Sequence, residues 1–474
     1  MTQILPEKVL KEFKEIDRKK IRQGLAQEFE NFPFKIIVLD DDPTGVQTVH
    51  DVSVYTDWDE ASIRAGFEEQ NKMFFILTNS RSFSAEKTKA VHQEIAGRIA
   101  KIAQEKNKKF IIISRGDSTL RGHYPLETEI LKQAVENQTG KKIDFEVIAP
   151  FFPEGNRFTL NDIHYLRQDG NLIPVGETEF AKDKTFGYKS SNLREWIEEK
   201  TLGKSKASEV LSVSLSDTRG MNVHGIEKLL DSCSDFQKVV VNAIAYEDIE
   251  VFVLALIKVL KSGKSCIIRS AAALVKILGN IDDKPLLTRN ELIDSNDKNG
   301  GIILVGSHVK KTTVQLEKLL SLKEVIPIEF NQHRVLEEGG LEDEVKKTTE
   351  KAESLISQGK TVAVYTKRKR IDFSSDSPEK NLEMAVAISE AVTSIIGNLN
   401  EKPSFIIAKG GITSSDVGTK ALRVKKATVM GQIAPGIPVW KTGSESKFPN
   451  MPYIIFPGNV GTEETLLEVV RTLI

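Results

Sequence analysis

Cysteine is nearly absent from this chain of 474 residues. Cys233 and Cys266 are its only two, too few for a disulfide scaffold and in keeping with a reducing compartment. No apolar run approaches the ~20 residues that span a bilayer. The amino-terminal stretch MTQILPEKVLKEFKEIDRKK is charged throughout and lacks the apolar centre of a signal peptide. Histidine is sparse as well: seven residues, scattered without the close spacing of a zinc site. Net charge is missing too. The 66 basic and 67 acidic side chains leave a formal charge of -1, which gives no general pull toward nucleic acid or anionic lipid. These absences predict a cytoplasmic globular protein without nucleic-acid or membrane partners, in which any recognition of anions is local. There is also no G-x-S-x-G nucleophile elbow. The Gly-Lys-Ser of "LKSGKSC" (260–266) is not a phosphate loop, because Lys258 stands where that motif needs its first glycine and the helix precedes the strand.

What the sequence does have is alternation. Its length favours two or three domains. Short apolar runs (KIIVLD, MFFILTNS, KKFIIISRGDS, FEVIAPFF, VVVNAI, SCIIRS) alternate with amphipathic stretches long enough for crossover helices. That pattern predicts α/β architecture with mostly parallel sheets flanked by helices. Residues 279–300 lose the apolar period and read as a linker. Beyond them the alternation resumes with GIILVGS, EVIPIEF, TVAVYTK, PSFIIAKGG, TVMGQI and YIIFPGN. Ahead of the first strand, apolar residues about four apart from Leu5 to Phe29 predict an amphipathic packing helix. The expected order is a helix within 1–34, an α/β domain over 35–278, the linker, and a second α/β domain over 301–474.

In open parallel sheets, ligands bind beyond the carboxyl ends of the strands. There, "KIIVLDDDPTGVQT" ends an apolar run in Asp40, Asp41 and Asp42, whose mutual repulsion calls for a cation. Thr78 to Arg81, Arg115 to Thr119, and Glu154 to Arg157 follow other runs. Together these loops put carboxylates and guanidiniums on one rim, suited to a small, hydroxyl-rich anion. Among Arg81, Arg115, Arg121 and Arg157, Arg81 is the first choice to grip a ligand carboxylate, since a guanidinium fork matches both its oxygens. His123 and His164, nearby, read as structural hydrogen-bonders. In the second half the equivalent positions are glycine-rich: Gly306 with Ser307; Lys409, Gly410 and Gly411 before Thr413 and Ser414; Gly458, Asn459 and Gly461 before Thr462, a candidate N-cap. A strand, a glycine turn and a helix start let backbone N–H groups approach a phosphate.

The whole series resembles the four-carbon acid sugar kinase family of threonate, erythronate and 3-oxo-tetronate kinases. The resemblance rests on "DDPTGVQT", "TNSRS", "RGDSTLRG" and "EGNRFT", then "VGSHVKKTTVQL", "AKGGITSSD", "IAPGIP" and "PGNVG", in the family's order. It implies an amino-terminal domain for the acid sugar, a carboxy-terminal domain for ATP with Mg²⁺, and an active site in the interdomain cleft, where the γ-phosphoryl group passes to a sugar-acid hydroxyl. Carried over by motif, Asp41 and Asp42 face the sugar acid, and a carboxylate held rigidly at the strand end can take the alcohol proton, which makes either Asp41 or Asp42 the expected base. Arg81, Arg115, Gly116, Asp117 and Ser118 face the sugar acid, and Ser307, Gly410, Gly411, Ile412, Thr413 and Gly458 face ATP. No protein metal cluster is expected; Mg²⁺ would ride on the phosphates and water. Asp40, Pro43 and Ile412 depart from the family's usual residues. Two alternatives remain open: a sugar-acid binding protein without catalysis, and an aldolase or dehydratase using the aspartates as a metal site. A homodimer is also left open.

Overall fold

A computed structural model describes residues 3–369, 371, 378–458 and 460–474. The chain forms two compact units: Met1–Gly45 with Asp57–Asp282, and Val46–Thr56 with Asp283–Ile474.

The first unit is built on seven parallel strands. In spatial order they are Leu211–Val213, Gln237–Val241, Phe145–Ala149, Cys266–Ser270, Lys109–Arg115, Phe34–Asp40 and Met73–Leu77. Their near-continuous apolar sequences follow from burial on both faces: Ile36, Ile37, Val38, Phe74, Phe75 and Ile113 are all fully enclosed. Helices such as Ala85–Glu105 and Tyr246–Lys261 cross between strands. A smaller antiparallel sheet pairs Arg157–Leu160, Ile163–Gln168, Asn171–Pro174 and Leu5–Pro6.

That last pairing corrects the single helix expected at the amino terminus. Leu5 lies opposite Leu172 in the small sheet, a 3₁₀ turn follows at Glu7–Lys11, and the α-helix begins only at Arg18. Asp17 sets that start, accepting the backbone N–H of Lys20 at 3.2 Å, as an N-cap does. The four-residue spacing was therefore two structures in series. The helix Arg18–Glu30 does pack: Ile21 and Leu25 are buried, and Arg22 Nε lies 3.1 Å from Glu250 Oε1 on the helix Tyr246–Lys261.

The second unit mixes directions. Ser53–Tyr55, Lys426–Ala434, Ile437–Thr442 and Pro452–Phe456 pair antiparallel in that order. Ile406–Lys409, Ile302–Val305, Thr361–Thr366 and Val325–Phe330 continue in parallel. The segment expected as the linker contributes to this unit's core. Leu287, Leu292 and Ile293 are buried in this unit's core with Ile303 and Phe405. The backbone N–H of Leu287 donates to Gln432 O at 2.8 Å, and a Thr288–Glu291 capping box starts a short helix. Three anchored apolar side chains hold a polar segment against the core. The strand Ser53–Tyr55 likewise leaves its sequence neighbours and joins Lys426–Thr428.

Burial of the amino-terminal helix yields a first prediction. Leu25→Ala removes a side chain that is 6% exposed and should cost ~2–4 kcal/mol. Urea unfolding of the full chain measures this; a midpoint unchanged from the parent would mean the helix contributes nothing to the first unit.

Candidate functional site

In the first unit, the carboxyl ends of the strands carry a lattice of buried charges. Asp40 closes the strand Phe34–Asp40 beside Arg115, whose Nη1 lies 3.2 Å from Asp40 Oδ1 and 3.7 Å from Asp41 Oδ1. Arg81, on the 3₁₀ turn Ser80–Ser82, reaches three aspartates: Nη2 is 2.6 Å from Asp42 Oδ2 and 3.5 Å from Asp41 Oδ1, and Nη1 is 3.5 Å from Asp117 Oδ1. Arg121 Nε holds the other oxygen of Asp117 at 2.8 Å. The repulsion among the three consecutive aspartates is thus met by protein guanidiniums. Gly45 is required by this packing, since a Cβ there would lie 1.9 Å from Asp40 Oδ2.

The three aspartates differ electrostatically. Burial pushes Asp40 up to about 7, reinforced by Asp41 and Asp42 and only partly offset by Arg115. Burial raises Asp41 as well, against Arg81 and Arg115, and its Oδ2 has no hydrogen-bond partner among the described residues. For Asp42 burial is outweighed by Arg81 and by Thr44, so its carboxyl lies below the ordinary range. Thr44 donates to Asp42 Oδ1 from its N–H at 2.8 Å and its hydroxyl at 2.5 Å. Asp42 is also the accessible one, with its side chain 19% exposed against 2% for Asp40 and Asp41. Asp117 is likewise depressed, burial being overcome by Arg81 and Arg121.

Beneath this rim lies a pair that sequence reading passed over. Arg269, inside the strand Cys266–Ser270, sets Nη1 2.5 Å from Glu127 Oε2 and 2.8 Å from Ser114 Oγ. Glu127 also accepts from Ser80 Oγ at 2.7 Å. Arg269 holds Glu127 down to about 2, overcoming its burial, with His92 and Ser80 assisting. The pair therefore joins the loops carrying Ser80, Arg115 and Arg121, whose carbonyl accepts from Arg269 Nη2 at 3.4 Å. Gly116 must be glycine, as a Cβ would lie 2.1 Å from Arg269 Nη2. Ser118 is buried, and its carbonyl sits 2.8 Å from His164 Nε2. His164, also 2.9 Å from Thr159 Oγ1 and pushed down to about 4 by burial, is a structural hydrogen-bonder. His123 meets Phe83 O at 3.0 Å.

In the second unit, Ser307, Gly410, Gly411, Ile412, Thr413 and Gly458 all line one cavity of about 510 Å³, a size usual for small-molecule sites. Apolar Ile371, Ala385, Ile388 and Val392 line it as well, with polar Gln332, Thr366 and Ser389. Ile412, 69% exposed, adds to the apolar part. Gly410 sits at φ 123°, ψ 144°, a conformation open essentially to glycine. Lys409, fully buried, was read only as a loop residue. Its Nζ donates to Pro457 O at 2.7 Å and Gly458 O at 3.3 Å, and Thr312 Oγ1 adds a 3.3 Å bond to Gly458 O. Burial, with Lys311 adding, pulls Lys409 down to about 7. Thr462 is no N-cap; that place belongs to Glu464, ahead of Thr465–Leu473, and Thr462 N–H instead donates to Thr465 Oγ1 at 2.8 Å. Asn459 lies outside the described residues. Among the described residues no group of three or more His, Cys, Asp or Glu side chains is placed to hold a metal ion. Among them, too, no helix is long and apolar enough to cross a membrane.

Comparison with known proteins agrees with this division. A family model described as a sugar-binding N-terminal domain matches residues 36–278, and one described as a nucleotide-binding C-terminal domain matches residues 302–466. No curated protein matches the chain. Among solved structures, a Haemophilus influenzae protein of the DUF1537 family is 16% identical with a TM-score of 0.60, covering 92% of this chain and 100% of its own. A Salmonella typhimurium LT2 protein, provisionally named a tRNA synthase, is 16% identical with a TM-score of 0.64, covering 92% and 98%. At such identity the likeness shows the fold alone.

Two predictions come from these sites. Asp40 keeps its proton in the folded protein up to about pH 7, whereas in the unfolded chain it ionises near 4. Its contribution to stability is therefore complete below about pH 4 and is lost as pH rises toward 7. Asp40→Asn cannot ionise, so its melting temperature relative to the parent should climb across that window; a pH-independent difference would refute the shift. At Gly458, a Cβ would meet no atom within 4 Å. Gly458→Val should fold normally yet weaken nucleotide binding, read with ATP as the probe, by ~10-fold or more, because the new methyls enter the cavity. Calorimetry showing parental ATP affinity would remove this loop from the nucleotide site.

Proposed function

Because the chain belongs to the four-carbon acid sugar kinase family, we propose that it is an ATP-dependent kinase. It would transfer the γ-phosphoryl group of ATP to a hydroxyl of a small sugar acid, of four carbons as in threonate, erythronate or 3-oxo-tetronate. The observation that carries this reading is the rim of the first unit, where Asp42 lies 2.6 Å from Arg81 within a lattice of buried carboxylates and guanidiniums. Such a rim offers hydrogen-bonding groups of both signs to a ligand with hydroxyls and a carboxylate. The second unit supplies a family-matched nucleotide domain with a glycine-edged cavity.

Phosphoryl transfer asks the protein for positioning, charge stabilisation and a destination for the alcohol proton. Gly410, Gly411 and Gly458 leave room for phosphates, while Ser307 and Thr413 offer hydroxyls. The apolar part of the lining suits a purine. No carboxylate lines the cavity among the described residues, so Mg²⁺ would be carried by the phosphates and water, where it neutralises their charge. Arg81, Arg115 and the segment Gly116 to Ser118 frame the acceptor. Asp42 takes the proton: it alone of the three aspartates is open to a ligand, and a carboxylate held ionised by Arg81 and Thr44 is ready to accept. Asp41, enclosed behind it, holds Arg81 and Arg115 in place.

ATP consumption against a panel of C4 acids tests the reading, and turnover with none of them would refute it. Asp42→Asn should lower kcat by ~10²-fold or more, since positioned bases contribute roughly 10²–10⁴. The pH profile separates the aspartates. With Asp42 as base, the carboxyl that must be ionised stays so below pH 4, and kcat should be flat from pH 8 down to about 5. An acidic limb above the ordinary carboxylate range that vanishes in Asp41→Asn but persists in Asp40→Asn would transfer the role to Asp41.

A further inference from the structure

The arginines around the sugar-acid rim are not equally committed. Arg81 is engaged by Asp41, Asp42 and Asp117. Arg115 is engaged by Asp40 and Asp41, Arg121 by Asp117 and Asp183, and Arg269 by Glu127. Arg157 differs. It opens the strand Arg157–Leu160 and is half-buried, yet no carboxylate lies within ion-pair distance of it among the described residues. Asp117 is its nearest electrostatic partner, but both Asp117 oxygens are already taken by Arg81 and Arg121. Arg157 Nη1 donates to Gly155 O, and Nε, shielded from solvent, has no acceptor. The guanidinium lies 5.5 Å from the ring centroid of Phe180, which also carries Arg121 at 5.1 Å on its face.

A half-buried guanidinium without a counter-charge keeps part of its desolvation cost, and desolvation with Arg121 nearby pulls Arg157 below the ordinary arginine range. With Nη1 engaged and Nε shielded, Nη2 is the group left open to a ligand among the described residues. It can donate a charge-assisted hydrogen bond to an oxygen of an incoming carboxylate. Every other arginine of the rim thus has a carboxylate within ion-pair distance, although Arg115 Nε, like Arg157 Nε, lacks an acceptor. Taking the sugar-acid kinase reading as given, we infer that Arg157 receives the carboxylate of the acceptor and determines the choice of acid over alditol, and that Arg81 is a positioning residue for Asp42 and Asp117. Phe180 fixes the plane of the guanidinium, and Tyr188, whose hydroxyl donates to Thr119 O at 2.7 Å, closes the same side.

The test compares Arg157→Gln, Arg157→Lys and Arg81→Lys with the parent in the full chain. Calorimetry with threonate and erythronate, beside threitol and erythritol, gives affinities, and coupled ATP consumption gives kcat and KM. Arg157→Gln should lose ~30-fold or more in affinity for the acids, in the range seen when one partner of a buried charge pair is removed. Its alditol and ATP affinities should stay within a few-fold of parental. Arg157→Lys, which keeps the charge and the stem, should fold as the parent and fall between the two, with KM raised more than kcat is lowered. Arg81→Lys should instead lower kcat and melting temperature while preserving the acid-over-alditol preference. If the parent discriminates acid from alditol and Arg157→Gln discriminates equally well, this assignment is wrong while the kinase reading stands. A parent that neither binds nor phosphorylates any acid of the panel overturns both.

Discussion

The first unit depends on buried guanidiniums holding apart carboxylates that would otherwise repel. Remove Arg81 in thought, and Asp41, Asp42 and Asp117 lose their shared partner at 2.6–3.5 Å, leaving enclosed negative charge in a low-dielectric setting. Breaking such a pair typically costs ~3–5 kcal/mol. The lattice is therefore both the polar face offered to a ligand and a condition for the strand ends to fold as they do. This explains why glycine recurs where arginine and aspartate side chains turn inward: at Gly45 and Gly116 the space of a Cβ is already filled by Asp40 and Arg269.

The second unit meets the corresponding problem with the opposite charge. Backbone carbonyls at the end of Pro452–Phe456 point inward, and buried carbonyls need donors. Lys409 supplies them through its bonds to Pro457 and Gly458. Gln315 does the same further along, donating to Val460 O at 3.2 Å and Thr462 O at 2.6 Å. With the carbonyls drawn away from the cavity, the loop can present other groups to a ligand. A loop held from behind by a lysine and a glutamine is preorganised, which lowers the ordering cost of binding.

Much of this was legible in the sequence. Each apolar run became a strand, and the polar residues after it became the rim, because parallel sheets bury both faces and expose only their ends. The motif residues of the second half converge on one cavity for the same reason. What could not be read is what depends on pairing at long range. Ser53–Tyr55 leaves its neighbours for Lys426–Thr428, and nothing local to "DVSVYT" signals a partner more than 370 residues away. The segment 279–300 looked like a linker because only Leu287, Leu292 and Ile293 anchor it. One signal was available and unused. A charge embedded in an otherwise apolar run, Arg269 in "SCIIRS" or Lys409 in "FIIAKGG", must be buried with its strand and must therefore find a partner.

The same reasoning ranks the charged residues of the rim. An arginine enclosed with its carboxylates, as Arg81 and Arg269 are, has its partners fixed before any ligand arrives, and its loss is felt first in folding. A charge left incompletely paired keeps part of its desolvation cost as a standing preference for an incoming opposite charge. Affinity for an anion and tolerance of a neutral analogue are then set by that residual imbalance rather than by the number of basic side chains. Here the imbalance falls on Arg157, where Nε lacks an acceptor although Asp117 is close enough to be felt. A near-neutral chain can in this way favour an anion through one incompletely paired guanidinium rather than through net charge.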